Sequence, residues 1–126
     1  TQFVLTNWVR SWDFVSSNTT VPNTAAVATI AHGLGAIPTK LRVVLIQTDA
    51  SARNGYPQND ECELLSIQGT TNNPAFAVSA DATNVTIARS NSQFSYQVPK
   101  AGGAAVDLHS LMTTNNYFKI KVYASL

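Results

Sequence analysis

The residues best equipped to recognise a ligand lie together between Asp49 and Asp60. Arg53, Asn54, Tyr56, Gln58, Asn59 and Asp60 share that one turn-rich stretch. An aromatic ring can stack on the apolar face of a sugar while amides and carboxylates bond its hydroxyls. Tyr supplies contact area at little entropic cost. Tyr56 stands between Gly55 and Pro57, residue types that shape turns, so its ring is expected at a loop tip. Arg53, Asn54, Asn59 and Asp60 then surround it, which makes these five residues the candidate ligand-binding set. The plainer reading of the same stretch is an ordinary exposed hairpin loop.

Catalytic constellations are harder to find. Asp49 and Asp60 are the only carboxylate pair to nominate for glycan hydrolysis, which needs two carboxyl groups about 5–10 Å apart across a cleft. No G-x-S-x-G elbow frames a serine. Gly33–Lys40 lacks the Gly-Lys-Ser/Thr ending of a phosphate loop, and Pro38 interrupts it. His32 reads as a turn residue whose ring bonds nearby backbone, and an isolated His109 makes a poor metal site. Asp60, Glu61 and Glu63 could offer oxygens to Ca²⁺. Their plainer role is a solvated strand start that discourages edge pairing. Asn18-Thr19-Thr20 and Asn84-Val85-Thr86 are formal glycosylation acceptors. The single Cys62 excludes an intrachain disulfide framework and reads as a small buried hydrophobe. The expectation is a protein that is not an enzyme, with no cofactor and no metal ligand.

The elements that must position these residues are strands. Val27–Gln47 organises the chain as strand, tight turn, strand. His32-Gly33-Leu34-Gly35 supplies two glycines able to take positive φ, and Pro38 restricts Ile37 to extended conformations. Leu41–Ile46 is the most apolar, β-branched run in the sequence and suits a central strand covered on both faces. Around it we expect strands at about residues 8–15, 61–67, 75–80, 84–89, 94–98 and 117–124, with residues 16–25 as linker. A segment at Val106–Met112 reads as a short helical turn or a strand end. The last strand alternates Phe118, Ile120, Val122 and Ala124 against Tyr117, Lys119, Lys121 and Tyr123, a half-buried pattern. About eight short strands with turn signals every 8–12 residues predict an all-β fold, a β-sandwich or jelly roll of antiparallel strands.

Composition agrees. The chain has 126 residues, enough for one domain with one core; 44% are apolar and only 12% charged, against a usual charged share of about 25%. Its surface is carried by Thr, Ser, Asn and Gln, a tendency of extracellular β proteins and virion parts. The net charge is +1 with no basic cluster, so nucleic acid is not an expected partner. No stretch approaches the ~20 apolar residues of a membrane helix, and no membrane partner is expected. The chain starts with Thr1 and shows no signal peptide, which points to a fragment of a longer protein or to processing. Leu64 and Leu65, like Val43 and Val44, are adjacent and point to opposite faces, so a neighbouring subunit or second sheet must cover them.

The motifs together resemble a family of small β domains in tailed-bacteriophage structural proteins. The core of the likeness is a strand ending in His32-Gly33-Leu34-Gly35, two residues, Pro38, then Leu41–Ile46. Gly55-Tyr56 with Asp60-Glu61-Cys62-Glu63-Leu64 follows, then Asn84-Val85-Thr86-Ile87, then Val106-Asp107-Leu108 and Tyr117–Tyr123. Pro57-Gln58-Asn59 departs from the family pattern, where a Gly stands before the acidic pair. The resemblance spans about residues 26–124. It implies a virion component in a fibre, spike or decoration, commonly a homotrimer, and implies no catalytic residues. The expected function is a receptor-binding tip for a host surface glycan. One alternative is a capsid decoration or head-fibre protein that binds other virion proteins, and another is a carbohydrate-binding lectin not of phage origin.

Overall fold

A computed structural model describes residues 11–23, 25–69, 75–90, 96–97, 105–106 and 116–126. In chain order the strands are β1 (Phe14–Val15), β2 (Thr19–Thr20), β3 (Val27–Ala31), β4 (Lys40–Gln47), β5 (Glu61–Glu63), β6 (Gln68–Gly69), β7 (Phe76–Ala80), β8 (Asn84–Arg89), β9 (Tyr96–Gln97), β10 (Ala105–Val106) and β11 (Phe118–Ser125). A 3₁₀ turn at Leu64–Ser66 ends the segment expected to run as strand to Ile67. No α-helix occurs among the described residues. The expected strand residues 8–10, and the segment at 107–112 with His109, lie outside the described residues.

The fold is all-β, antiparallel and sandwich-like. One sheet orders β1-β11-β4-β5, with β2 also on β11; a second orders β3-β8-β7; a small third orders β10-β9-β6. β1 and β2 act as one edge strand carrying a bulge. Val15 pairs with Tyr123 and Thr19 with Ile120, so four steps on one side meet three on the other. Ser16 sits at the bulge, buried, with its Oγ accepting the Val122 amide at 2.8 Å.

β4 and β11 run side by side over eight paired positions. One face of the pair carries Val43, Leu45, Phe118, Ile120 and Val122 into the core, where Val85, Ile87 and Phe76 of the second sheet meet them. Cys62, Leu64 and Ile67 are buried in the same cluster. The expectation of a strand buried on both faces holds: Val44 is 0% and Ile46 5% exposed, although both point away from that core. A single chain therefore covers both faces of β4, and the apolar residues there no longer require a neighbouring subunit.

The hairpin expected around the glycines is not formed. β3 pairs with β8 while β4 pairs with β11 and β5, so the two strands belong to different sheets. The intervening segment is an arch that crosses the sandwich. His32, 4% exposed, anchors it. Its Nδ1 accepts the Leu34 amide at 3.1 Å, so the proton sits on Nε2, which donates to the Asp81 carbonyl at 2.9 Å. Gly33 (φ +67°) and Gly35 (φ +77°) both take the left-handed conformation, as their type suggests. The ring thus ties the arch to the turn between β7 and β8. There the Asp81 Oδ1 accepts the Thr83 and Asn84 amides at 2.7 Å each, and these bonds hold the Asp81 carboxyl below the ordinary carboxylate range.

Because Val44 is sealed on the face opposite the core, Val44→Asp places a carboxylate where water does not reach. The variant is expected not to fold. Circular dichroism and thermal melting check this; a soluble variant with a cooperative melt refutes the central role of β4.

Candidate functional site

The segment between β4 and β5 is built around one buried amide. Gln47 is 0% exposed. Its Nε2 donates to the carbonyls of Ser51 (2.9 Å) and Tyr56 (3.0 Å), and its Oε1 accepts the Asp49 amide. A buried amide that meets its partners on three sides fixes the loop as firmly as a strand pairing would. Asn54 (φ 51°) and Gly55 (φ 83°) form a tight two-residue turn. Arg53 and Tyr56 close it with reciprocal backbone bonds of 2.9 and 2.8 Å, the geometry that Asn-Gly favours.

That small hairpin turns Tyr56 inward, so the ring expected at a loop tip is a core residue. Tyr56 is 2% exposed and meets the Phe118 ring edge-on at 6.1 Å. The Asn54-Gly55 turn, not Pro57, sits at the tip, and one residue past the tip the chain already faces the sandwich. Arg53 is also engaged. Its guanidinium bonds Asp49 Oδ2 at 2.8 and 2.9 Å and lies 4.1 Å from the centre of the Tyr117 ring. The Arg53 hydrogen bond is the main reason the Asp49 carboxyl titrates below its ordinary range. Asp49 therefore stays ionised at neutral pH and does not suit the proton-donor half of a hydrolase pair.

The other candidates are distributed along the same loop. Asn54 is half-buried and Asn59 exposed in a left-handed conformation, φ 71°. The Asn59 amide bonds the Gln47 carbonyl at 2.7 Å, and the Asp60 carbonyl accepts the Gln47 amide at 2.9 Å. Gln58 Nε2 donates to the Thr48 carbonyl at 3.1 Å. The structure thus gathers Arg53, Asn54, Tyr56, Asn59 and Asp60 into one loop, but without an exposed ring among them. Glu61 and Glu63, weighed as cation ligands, are instead engaged by Arg42.

Sequence reasoning missed a second polar and aromatic cluster, on the outer face of the five-stranded sheet. Tyr123 pairs with Arg42 across the β11–β4 ladder, and its hydroxyl donates to Glu61 Oε1. Arg42 reaches Glu61 at 3.0 Å and also bonds Glu63, with its guanidinium 5.5 Å from the Tyr123 ring. Lys121 lies over the same ring at 5.5 Å, and the Trp12 ring is 5.6 Å away. Beside Trp12 is a surface cavity of about 160 Å³ lined by Ser11, Trp12, Lys40 and Ser125. The available signal was the alternation of β11, which sends Lys119, Lys121 and Tyr123 to one face. The partners on β4 and β5 depend on register, which sequence alone does not supply. Comparison with known proteins finds no family model and no curated protein that matches this chain.

Two outcomes follow from this geometry. Tyr56→Ala leaves a large void against Phe118, so it is expected to lower stability by about 3–5 kcal/mol; denaturant unfolding measures it, and an unchanged midpoint contradicts the core assignment. Burial and the Glu61 hydrogen bond push the Tyr123 hydroxyl up to about 12. The folded state then holds this proton more tightly than the unfolded state, whose tyrosine titrates near ~10. The stabilisation is complete below that value and fades as pH rises towards the folded one. Ultraviolet titration should show a late transition for Tyr123, and Glu61→Gln should move that transition back towards the ordinary range.

Proposed function

We propose that this chain is a structural β-sandwich module of a tailed-phage virion, acting through protein–protein contacts rather than catalysis. The virion part rests on the resemblance carried by His32–Pro38 and the strands around it. The contact part rests on one observation. The loop whose composition suits a ligand uses its ring and its cation internally, while large apolar side chains stand in solvent: Leu65 is 66%, Ile37 62% and Val27 58% exposed. Exposed apolar side chains can serve contacts in an assembly, whereas the loop at residues 49–60 offers a sugar no exposed ring. This favours a fibre, spike or decoration component that binds copies of itself or other virion proteins over a receptor-binding tip at residues 49–60. The resemblance implies an oligomer.

A second reading keeps glycan recognition and moves it. The half-buried Trp12 ring beside Lys40, Ser11 and Ser125 is an aromatic platform with hydrogen-bond donors, the equipment first sought around Tyr56. A glycan array, a host-cell binding assay and binding to purified virion proteins, run on one preparation, separate the two. The expected outcome is binding to virion proteins or to itself with no glycan signal. A glycan signal abolished by Trp12→Ala replaces the structural reading with receptor binding on the outer face.

A further inference from the structure

Sheet edges differ in how they are protected. β5, at one edge of the five-stranded sheet, is three residues long and carries Glu61 and Glu63. At the opposite edge, β1 and β2 are two residues each and separated by the bulge. Charge, short length and bulges are the usual devices that stop an edge from recruiting another chain. β3 has none of these. It is five residues long, lies at the edge of its sheet and, among the described residues, pairs only with β8. No Lys, Arg, Asp or Glu occurs from Ala25 to Thr39, and no proline occurs within β3.

The hydrogen bonds give the direction of its backbone groups. The Arg89 amide donates to the Ala26 carbonyl and the His32 amide to the Thr83 carbonyl, each at 3.0 Å. Main-chain groups alternate in direction along an antiparallel strand. Ala28 and Ile30 therefore also face β8, and the amides and carbonyls of Val27, Thr29 and Ala31 face outwards. No described residue bonds them. The side chains of the same three residues are exposed on the outer face, Val27 at 58%.

We propose that β3 is a self-pairing edge, joining two copies of this chain antiparallel about a two-fold axis at Thr29. In that register Thr29 meets Thr29 of the second copy, and Val27 meets its Ala31 on each side. All three outward positions form reciprocal pairs, giving about six new backbone hydrogen bonds. The two three-stranded sheets become one continuous sheet. A second copy is the fitting occupant because the two-fold axis sets Thr29 against its own kind and the uncharged Val27 against the uncharged Ala31. A charge at Thr29 would meet its like, and this segment carries no charge. Thr–Thr neighbours across strands are favourable. The seam does not depend on the virion reading, since it follows from the edge alone.

A seam of this length is smaller than the standard interface of about 1,600 Å², so the test is a concentration series. Sedimentation equilibrium of the whole chain up to about 1 mM should show a reversible step from 13.5 kDa to twice that mass. Thr29→Lys sets two ammonium groups together and should weaken association on the order of tenfold or more. Thr29→Glu should do the same, and an equimolar mixture of the two variants should recover it. Thr29 is exposed, so both variants should melt as the wild type does. On the wild type, amide exchange at Val27, Thr29 and Ala31 should slow as concentration rises, which reads the seam without any substitution. A monomer throughout the series, a trimer without a dimer, association indifferent to both charges, or concentration-independent exchange at these amides overturns the proposal.

Discussion

The rest of the sandwich depends on β4 being buried on both faces while paired on both sides. Its eight-residue ladder with β11 and its contact with β5 place it at the centre of the larger sheet. Val43 and Leu45 then pack against the second sheet, and Val44 and Ile46 must be covered from the other direction. On that outer face lie long side chains of β4 and of its neighbours: Tyr123 of β11 reaches Glu61, and Arg42 of β4 itself spans Glu61 and Glu63 of β5. Long polar side chains can cover apolar surface with their stems while their heads remain wet. The charged cluster is thus part of the packing of β4, which gives it a structural purpose before any functional one.

The same strand determines the loop. Gln47 ends β4 with its side chain sealed, so its amide must find partners inside the protein. It finds them in the backbone of the segment that follows. The Asn54-Gly55 turn allows that segment to fold back sharply enough to deliver the Tyr56 carbonyl to Gln47 and the Tyr56 ring to Phe118. Recognition-like composition here serves internal satisfaction. Arg53 is drawn into the same arrangement by Asp49 on one side and the Tyr117 ring on the other.

The smaller sheet is organised differently. Its inner face is apolar apart from the buried Arg89, which donates to the Pro22 carbonyl, and its outer face is small and uncharged, with Thr29, Thr86 and Ser79 aligned across β3, β8 and β7. His32 ties this sheet's arch to the Asp81 turn, so the end of β3 is held rigidly. An anchored, uncharged edge is a defined template, whereas an unanchored one would have to be ordered before it could pair.

What the sequence by itself determined is local. The alternation of Phe118–Ala124, the apolar run of β4, the limits of β3 and β8, the positive φ of Gly33 and Gly35, the buried Cys62 and the backbone-bonding His32 were all legible. Each is set by period, steric freedom or residue chemistry over a few neighbours. The all-β class followed from their sum. What only the tertiary structure decided is pairing and direction. Nothing local says that β3 pairs with β8, 57 positions on from Val27 to Asn84 in the chain, instead of with the adjacent β4. Nothing local places Arg42 opposite Tyr123. Tyr56 shows the limit most plainly. Gly and Pro beside a ring announce a turn, but whether the ring points to solvent or to the core depends on where the buried amide of Gln47 and the Phe118 ring lie. Those positions are fixed by a strand more than sixty residues away (|i−j| is 62 between Tyr56 and Phe118). Long-range register carries the energy of burial, and no window of neighbouring residues contains it.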